Sequence, residues 1–425
     1  MAALASVVLV GAACSNSSSG TTPAGAGAPG ITPTEIDVGS LATETGSFSA
    51  GFGEIVDGVK AYFAMINAQG GVDGRKLVLK YELDDTGNPT TDTAQARTLV
   101  EQDHVFAIVG VGTPLFAGAQ YLAQSGTPTF GYVVSQDWQN APNLFGAYGS
   151  TLDYTTGAST TAFIANQLHA TAVGVVAYGV APQSKDACQA DANGMKALGI
   201  NVPFVDVNYN YFNGNPDPDV LQMKADHVDL MLSCMQGKDN LAFANSFVQH
   251  GMNGVKEVWL NGYDRSQVAA NPPLQNNQIY LLQHVPFEAA AAFPGKYPGM
   301  ELYLKTMQKY EPQWVYDDIA IQGWINAAQF VQGLRDVAKE GKPLTQANLI
   351  AAINKETAFT AGGLMAPLNW TVAHTQAVPP FCSGFVQTVG GRFVPAFVQP
   401  GDQVLVCFTK QSATPVTPPP GTPGT

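Results

Sequence analysis

Short segments with the period of a β-strand alternate with amphipathic helical segments along most of the chain. Glu35–Leu41 alternates polar and apolar residues, which predicts a strand, and the apolar residues between Ile55 and Ile66 recur at helical spacing. A second strand is predicted at Lys76–Leu83 and a buried strand at Val105–Val109. Strands that alternate with helices in this way are typical of a parallel α/β fold.

A comparable set of units begins near Leu152 and supplies a second sheet. Long helices are then predicted at Met300–Tyr310 and Asp318–Val337, and a final β-rich piece at Gly384–Phe408. These two successive sets of strands and helices predict two lobes. The later segments can add to either lobe, which predicts that the chain crosses between the lobes several times. A chain of 425 residues is long enough for two lobes of roughly 150–200 residues each.

The order of these segments predicts the boundaries of the two lobes. Lobe 1 comprises residues 35–149 plus about 285–358, and lobe 2 comprises about 150–284 plus 359–410. Residues 411–425 are rich in proline and lack hydrophobic periodicity, so we expect this tail to be disordered.

The first residues of the chain have the composition of an export signal. An apolar run from Ala2 to Val10 is followed by small residues that lead directly into Cys14. This order is typical of a bacterial lipoprotein, so residues 1–14 are predicted to be a signal peptide that ends at an acylated Cys14. Residues 15–34 would then be a flexible tether, and lipid would anchor the protein to the outer face of the bacterial cell membrane.

The charge and the motifs of the chain exclude several classes of function. The formal net charge is −13, which argues against an extended nucleic-acid surface and against docking on anionic lipid. No apolar run reaches the roughly 18–20 residues that a membrane span requires. Phosphate-loop, HExxH and GxSxG motifs are absent, and the six histidines lack metal-ligand spacing. We therefore expect no enzyme activity, no cofactor and no metal site.

Four of the five cysteines remain once Cys14 is assigned to the lipid anchor. An even number of cysteines in an exported protein indicates two disulfides, although the sequence leaves more than one pairing open. We favour Cys188–Cys234 and Cys382–Cys407, because each pair would then stay within one lobe.

The N-terminal part of the chain carries an ordered series of short motifs. In chain order these are Ile36–Gly39, Thr45-Gly46, Gly58, Ile66–Leu77, Asp84-Asp85 with Pro89, and Ala107–Gly110. The series resembles the periplasmic binding proteins for branched-chain amino acids and their relatives. The resemblance implies the type I fold of that family, with two lobes, each a parallel-sheet α/β sandwich, and a ligand cleft between them. It also implies capture of a small-molecule ligand for the permease subunits of an ABC transporter in the membrane.

The resemblance further implies where the ligand contacts lie. In lobe 1 the matching positions follow three strands and are Thr45, Gly46, Ser47 and Phe48, then Gly112, Thr113 and Pro114, then Val134, Ser135 and Gln136. In lobe 2 the matching positions are Tyr178, Tyr263 and Asp264. Free backbone N–H groups at the carboxyl ends of parallel strands hold a carboxylate, and an aromatic ring with a carboxylate suits an α-ammonium group.

Several positions depart from the family pattern and leave the ligand open. The arginine that usually follows the interlobe strand is missing from Leu144–Tyr148, and Gly179–Ser184 replaces an acidic, aromatic loop. Phe48 and Trp138 are bulkier than a pocket for a small aliphatic amino acid requires. An aromatic acid, an amide or another amphipathic solute therefore fits as well as a branched-chain amino acid. The alternative function is that of a ligand sensor or receptor ectodomain of the same fold, which would sense an amide or an aromatic acid.

Overall fold

A computed structural model describes residues 28–46, 51–155, 157–211, 213–314 and 316–425. Within these residues the strands form two separate sheets, and helices pack against both of them. The predicted signal segment with Cys14 and most of the predicted tether lie outside the described residues. None of the helices in the described ranges is long and apolar enough to cross a membrane.

The first sheet is built from the N-terminal strands. These are β1 (Glu35–Ala42), β2 (Lys76–Asp84), β3 (Ala107–Gly112), β4 (Thr129–Gly131) and β5 (Leu144–Gly146). They are parallel throughout, in the order β2-β1-β3-β4-β5. Val38 of β1 lies opposite Leu79 on one side and Ala107 on the other, and β1 is buried from Ile36 onward. Burial on both faces is what helices on each side of a parallel sheet produce.

The second sheet contains the remaining strands. These are β6 (Val173–Tyr178), β7 (Phe204–Tyr209), β8 (Leu230–Ser233), β9 (Lys256–Trp259), β10 (Gln278–Leu282), β11 (Phe381–Val389), β12 (Arg392–Pro395) and β13 (Leu405–Phe408). The order is β12-β11-β10-β9-β8-β6-β7, and β13 also pairs with β11. The pairs among β6 to β10 are parallel, whereas β11 is antiparallel to β10, β12 and β13. The predicted β-rich piece Gly384–Phe408 thus lies in three antiparallel strands at the end of a parallel sheet.

Helices connect the strands of both sheets. They are α1 (Ile55–Ala68), α2 (Pro89–Arg97), α3 (Ala119–Ser125), α4 (Gly157–Gln167), α5 (Pro182–Ala197), α6 (Asp217–Ala225), α7 (Gly237–Gln249), α8 (Arg265–Ala270), α9 (Ala289–Ala292), α10 (Pro298–Tyr310), α11 (Asp318–Lys339) and α12 (Gln346–Ile353). The predictions Met300–Tyr310 and Asp318–Val337 are confirmed as α10 and α11. Asn88 caps α2 and Asp317 caps α11, and each side chain accepts two backbone N–H groups that the helix leaves unpaired.

α1 and α11 are distant in the sequence but cross at very close range. A Cβ atom added at Gly58 would lie 1.9 Å from the backbone oxygen of Ala320, and one added at Gly323 would lie 1.8 Å from that of Ile55. Glycine is required at both positions, because any side chain would overlap backbone in a close-packed interior. The crossing fixes the N-terminus of α11 beside the start of α1, near the ends of β1 and β3.

Both predicted disulfides form, so the favoured pairing is confirmed. Cys188–Cys234 joins α5 to the residue that follows β8, and its Cα atoms are 5.9 Å apart. Cys382–Cys407 joins neighbouring residues of β11 and β13. Both bridges therefore connect elements of the second sheet and its helices.

The segment that leads into β11 lies against the first sheet, which differs from the predicted lobe boundary. The sequence assigns residues 359–410 to lobe 2. The ring of Trp370, however, packs edge-on against Phe145 of β5 with 5.1 Å between ring centres. The hydrophobic pattern of this segment predicts that it is buried but does not predict which sheet it packs against. The chain therefore enters lobe 2 later than predicted.

The C-terminal tail also differs from its prediction. Residues 411–425 are expected to be disordered, but the backbone N–H of Val416 donates to Cys407 at 2.8 Å and Thr422 is buried. An edge strand such as β13 offers unpaired backbone groups to any nearby segment. The tail pairs with this edge strand, and hydrophobic periodicity does not predict such a pairing.

Candidate ligand-binding cleft

The carboxyl ends of the parallel strands of both sheets face a common space. The loop after β3 meets α5, which follows β6, where Gln183 Nε2 donates to the backbone oxygen of Pro114 at 3.4 Å. Elsewhere along the same space Tyr263, after β9, donates its hydroxyl to Glu288, on the chain between β10 and α9. Ligands of parallel α/β sheets bind outside the carboxyl ends of the strands. We call the space between the two edges the cleft.

The aspartates at the end of β2 hold the loop that follows β1. Of the contacts predicted on this loop, the structure describes Thr45 and Gly46 but not Ser47 and Phe48. Thr45 donates its hydroxyl to Asp84, and Thr43 donates its hydroxyl to Asp85 at 2.6 Å. The loop after β1 is therefore held by the end of the neighbouring strand β2.

A buried pair of carboxyl groups connects this loop to the loop after β3. Asp85 and Asp92 are both fully buried, and Asp92 accepts a hydrogen bond from the backbone N–H of Gly118 at 2.5 Å. Burial, together with the neighbouring charge of Asp85, raises the pKa of Asp92 to about 7. Below that pH the pair retains a proton, which permits two carboxyl groups to lie side by side in the core.

The loop after β3 presents backbone rather than side-chain groups. Thr113 is buried, and its hydroxyl lies 3.3 Å from the backbone N of Leu115, within its own turn. Gly112 accepts a backbone hydrogen bond from Thr43 at 2.8 Å, and Pro114 supplies the carbonyl that crosses the cleft. The structure therefore brings the three predicted residues to the cleft edge but directs the Thr113 hydroxyl into the loop.

The loop after β4 contains Val134, Ser135 and Gln136. The Ser135 hydroxyl caps the short helix that follows and donates to Asp137 at 2.6 Å. Gln136 is exposed and lines a groove of about 610 Å³, together with residues 151–155 and Lys410. Ser135 therefore shapes the loop, and Gln136 lies on an open groove between residues 151–155 and α5.

Aromatic rings form the lobe-1 side of the cleft. Tyr132 follows β4, and its ring centre lies 5.9 Å from that of Phe52. Trp138, expected to be a bulky pocket wall, is instead fully buried against Phe116, with 4.5 Å between ring centres. This correction has a packing cause, because the short helix after Ser135 turns the indole into the core.

Tyr178 ends β6, and its hydroxyl is satisfied inside lobe 2. It donates to Asp239 at 2.6 Å and accepts from the backbone N–H of Gln236 at 2.9 Å. Burial and the bond to Asp239 raise the pKa of Tyr178 above its usual range. The side chain joins the loops after β6 and β8, and a ligand would have to compete with these contacts.

Tyr263 and Asp264 follow β9 but do not act together. Asp264 caps α8 and accepts the backbone N–H of Ser266 at 2.7 Å. Tyr263 is buried, stacks on Phe287 at 5.0 Å and donates its hydroxyl to Glu288. The carboxylate beside the tyrosine is therefore Glu288, and burial together with this carboxylate raises the pKa of Tyr263 well above its usual range.

Arg265 brings a positive charge to the same group. Its Nη2 lies 2.7 Å from Oε1 of Glu288, and its guanidinium carbon lies 3.6 Å from the ring centre of Tyr316. This distance is well within the range of a cation–π contact. The guanidinium is therefore held by a carboxylate and an aromatic face at the same time.

Asp318 begins α11 and contacts the chain that crosses between the sheets. Its Oδ1 lies 2.8 Å from Nε2 of His284, whose Nδ1 lies 2.7 Å from the backbone oxygen of Val285. Burial, followed by the charge of Asp318, raises the pKa of Tyr132 and of Tyr148. Both hydroxyls consequently stay neutral beside Asp318.

The sequence did not identify Arg265, Glu288, Tyr316, Asp318 or His284 as residues of this site. Arg265 directly follows the predicted pair Tyr263-Asp264, so the same motif could have located it. Glu288 and Tyr316 belong to distant segments whose local pattern carries no sign of the contact. Within the described part of the chain, no three histidine, cysteine or carboxylate side chains are grouped so as to hold a metal ion.

The two sheets and their facing strand ends define a two-lobed α/β protein with a cleft between the lobes. The chain belongs to the periplasmic binding protein family, whose sequence model matches residues 35–391. The resemblance carried by the N-terminal motifs is thus confirmed, and so is the type I two-lobe α/β fold. No curated protein sequence matches the chain.

Three solved structures with this fold illustrate the relationship. A fatty acid ABC transporter substrate-binding protein from Thermomonospora curvata matches with a TM-score of 0.71 and 17% identity, over 90% of this chain and 94% of that chain. A solute binding protein of an ABC transporter from R. palustris, in complex with benzoate, gives 0.66 and 17%, over 91% and 99%. The branched-chain amino acid transporter substrate binding protein from Streptococcus pneumoniae, in complex with isoleucine, gives 0.66 and 14%, over 85% and 100%. At these identities the likeness shows the fold alone.

Proposed function

We propose that this protein is an extracytoplasmic solute-binding lipoprotein that captures a small amino acid-like or amphipathic solute for an ABC transporter. The observation that carries the proposal is the pair of facing strand edges, which Gln183 and Pro114 join across the cleft in a chain of the periplasmic binding protein family. A solute seated there would contact both lobes. Its binding would therefore favour the closed arrangement, which a membrane permease recognises.

The chemistry of the cleft suits a solute with an acceptor group and a hydrocarbon body. The loop Gly112–Pro114 would offer the backbone N–H group of Thr113 to a carboxylate or an amide oxygen. Tyr132 would supply an aromatic face. Leu115 and Val180, 37% and 63% exposed, add apolar surface on the two loops that approach each other. A few polar groups among apolar walls are typical of small-molecule sites.

The lipid anchor and the lack of chemistry belong to the same proposal. Cys14 would carry the lipid, residues 15–34 would tether the lobes to the membrane, and the permease subunits would be the protein partner. Membership of a family of binding proteins supports a role without catalysis and without a cofactor.

A thermal-shift screen of the full chain with Cys14→Ala tests the binding function. The panel would contain branched-chain amino acids, short amides, aromatic acids and medium-chain fatty acids. A solute at about 100 times its dissociation constant adds about 2.7 kcal/mol to the free energy of unfolding, which raises the melting temperature visibly. A rise confined to one chemical class would support the proposal, and no rise with any class would count against it.

An uptake assay separates delivery from sensing. Cells that lack this chain should take up the solute found in the screen more slowly than cells that produce it. Unchanged uptake would instead favour the sensor function, because a sensor binds the solute without passing it to a permease.

A further inference from the structure

The side chain of Arg265 lies between the ring of Tyr316 and the carboxylate of Glu288, a combination of groups that binds cations. Its guanidinium carbon lies 3.6 Å from the ring centre of Tyr316, and its Nη2 and Nε lie 2.7 Å and 3.1 Å from Oε1 of Glu288. The other oxygen of Glu288 accepts the hydroxyl of Tyr263. An aromatic face with a carboxylate binds guanidinium and alkylammonium groups alike, through cation–π attraction and charge-assisted hydrogen bonds.

This position lies on the cleft. Tyr263 and Arg265 follow β9 at the carboxyl edge of the second sheet, and Glu288 lies on the chain that crosses to the helices of the first. The ring of Phe287, which stacks on Tyr263, also packs against His284, and His284 lies 2.8 Å from Asp318, so the position adjoins the start of α11. The side chain of Arg265 is 42% exposed, whereas that of Glu288 is 11% exposed. Of the two charged side chains, that of Arg265 is therefore the more accessible to solvent.

Two further carboxylates on the lobe-2 edge are engaged within the protein. Asp264 accepts the backbone N–H groups of Ser266 and Gln267, and Asp239 accepts the hydroxyl of Tyr178 at 2.6 Å. To bind either carboxylate, an ammonium group would have to displace hydrogen bonds that are already made. This loss offsets much of the free energy gained on binding. These carboxylates offer little to the amine of an amino acid.

We propose that Arg265 is a specificity-determining residue, which occupies the cation position between Tyr316 and Glu288 so that the cleft selects carboxylate solutes without an ammonium group. An α-amino acid would bring its ammonium group against a guanidinium of like charge. A carboxylic acid with a hydrocarbon body meets no such repulsion and finds an exposed guanidinium as a partner. This inference rests on the proposed solute-binding function and narrows its substrate class.

Two pairs of solutes that differ only in the amino group test this selectivity. Isocaproate is leucine without its amino group, and hydrocinnamate is phenylalanine without its amino group. We expect the full chain with Cys14→Ala to bind an acid of these pairs at least about tenfold more tightly than the matching amino acid, measured by isothermal titration calorimetry. Arg265→Met in the same background should reduce this ratio by about tenfold, and Arg265→Lys should retain most of it.

The outcomes of this titration separate the two proposals. Equal or tighter binding of the amino acid by the chain with native Arg265 would overturn the role of Arg265 and leave the solute-binding function intact. Binding of neither member of either pair would overturn the inferred substrate class, and the thermal-shift panel then decides whether the solute-binding function fails as well.

Arg97 provides a matched control, because its guanidinium also contacts a tyrosine ring and a glutamate carboxylate. Its guanidinium carbon lies 4.3 Å from the ring centre of Tyr121, and its Nη1 lies 3.0 Å from Glu101, which also accepts the Tyr121 hydroxyl at 3.0 Å. This group lies on the exposed surface of α2, the residues that directly follow it and α3. Arg97→Met should leave the ratio of affinities unchanged. A change as large as that of Arg265→Met would overturn the assignment, because the ratio would then report overall charge.

Chemical complementation tests the cation position without any solute. In Arg265→Ala, added ethylguanidinium should raise the melting temperature more than it does in the chain with native Arg265 or in Arg97→Ala, because the emptied position binds it. The double variant Arg265→Ala/Glu288→Gln should lose this additional rise. The same response in all four proteins would overturn the assignment of a cation position.

Discussion

Gln183 donates a hydrogen bond to the backbone oxygen of Pro114 at 3.4 Å, and this contact spans the cleft. One partner begins α5 on the second sheet, and the other lies in the loop after β3 on the first. The bond forms only when the two edges are close together. The Gln183 amide and the Pro114 carbonyl therefore help to set the distance between the two lobes.

Gln183→Ala should shift the lobes toward an open arrangement. A hydrogen bond of this kind contributes about 0.5–1.5 kcal/mol, so the affinity for a solute that binds both lobes should weaken by about twofold to tenfold. Small-angle scattering should show a larger radius of gyration for the variant. Gln189→Ala on the same helix is the control, since Gln189 bonds only to the neighbouring Asn193 among the described residues. Identical scattering from both variants would contradict a role of Gln183 in holding the two edges together.

The fold was largely predictable because its signals are local. Glycines at the ends of helices, alternation in Glu35–Leu41 and helical spacing after Ile55 all report structure within a few residues. The sheet that buries Trp370 and the partner of Val416 depend on contacts between distant segments. Local periodicity contains no record of such contacts, so the lobe boundary and the packed tail were missed.

The candidate site was predictable only as a set of loops. The motifs predicted that the loops after β1, β3 and β4 lie on one edge of the cleft and those after β6 and β9 on the other. They did not predict the direction of each side chain. Asp264 turned out to cap a helix, while Glu288, from another segment, took the place beside Tyr263. A cap and a ligand contact use the same residue types, and which one forms is decided by packing around the loop.

Asp92→Asn should change how the free energy of unfolding depends on pH. In the folded protein, burial raises the pKa of Asp92 to about 7, whereas the ordinary pKa of an aspartate in an unfolded chain is 3.8. Asp92 therefore lowers the stability of the native chain as the pH rises between these values, by at most about 1.4 kcal/mol per pH unit. Asparagine cannot ionise, so the stability of the variant relative to the native chain should rise over this range.

Urea unfolding at several pH values between about 4 and 8 measures this difference. Asp402→Asn, at an exposed aspartate, serves as the control for removal of one charge. A constant difference between Asp92→Asn and the native chain would show that the buried pair is not linked to pH as described.

Gly58→Ala should destabilise the fold more than an ordinary glycine substitution. The new methyl group would overlap the backbone of Ala320, and overpacking of this kind costs about 1–3 kcal/mol or more. Gly254→Ala is the matched control, because a Cβ atom there meets nothing within 4 Å. Chemical denaturation should place the midpoint of Gly58→Ala well below that of Gly254→Ala. Equal midpoints would contradict the close crossing of α1 and α11.

Removal of the Cys188–Cys234 disulfide should lower stability and loosen the lobe-2 edge of the cleft. The bridge closes a loop with a sequence separation of 46, and loss of such a crosslink costs about 2–4 kcal/mol. Ser184, which donates to the backbone oxygen of Cys234 at 2.6 Å, would lose a fixed partner. The double alanine variant should therefore bind solute more weakly than the corresponding variant of Cys382–Cys407. Equal affinities would place the first bridge outside the site.

Hydrogen–deuterium exchange with and without the solute from the thermal-shift screen tests the central claim most directly. The account predicts slower exchange in both edges of the cleft, in residues 112–116 after β3 and in residues 178–184 after β6, when solute is present. Protection of both segments would show that the solute is held between the lobes. Protection of one lobe alone, or only of the groove beside Gln136, would contradict capture in the cleft.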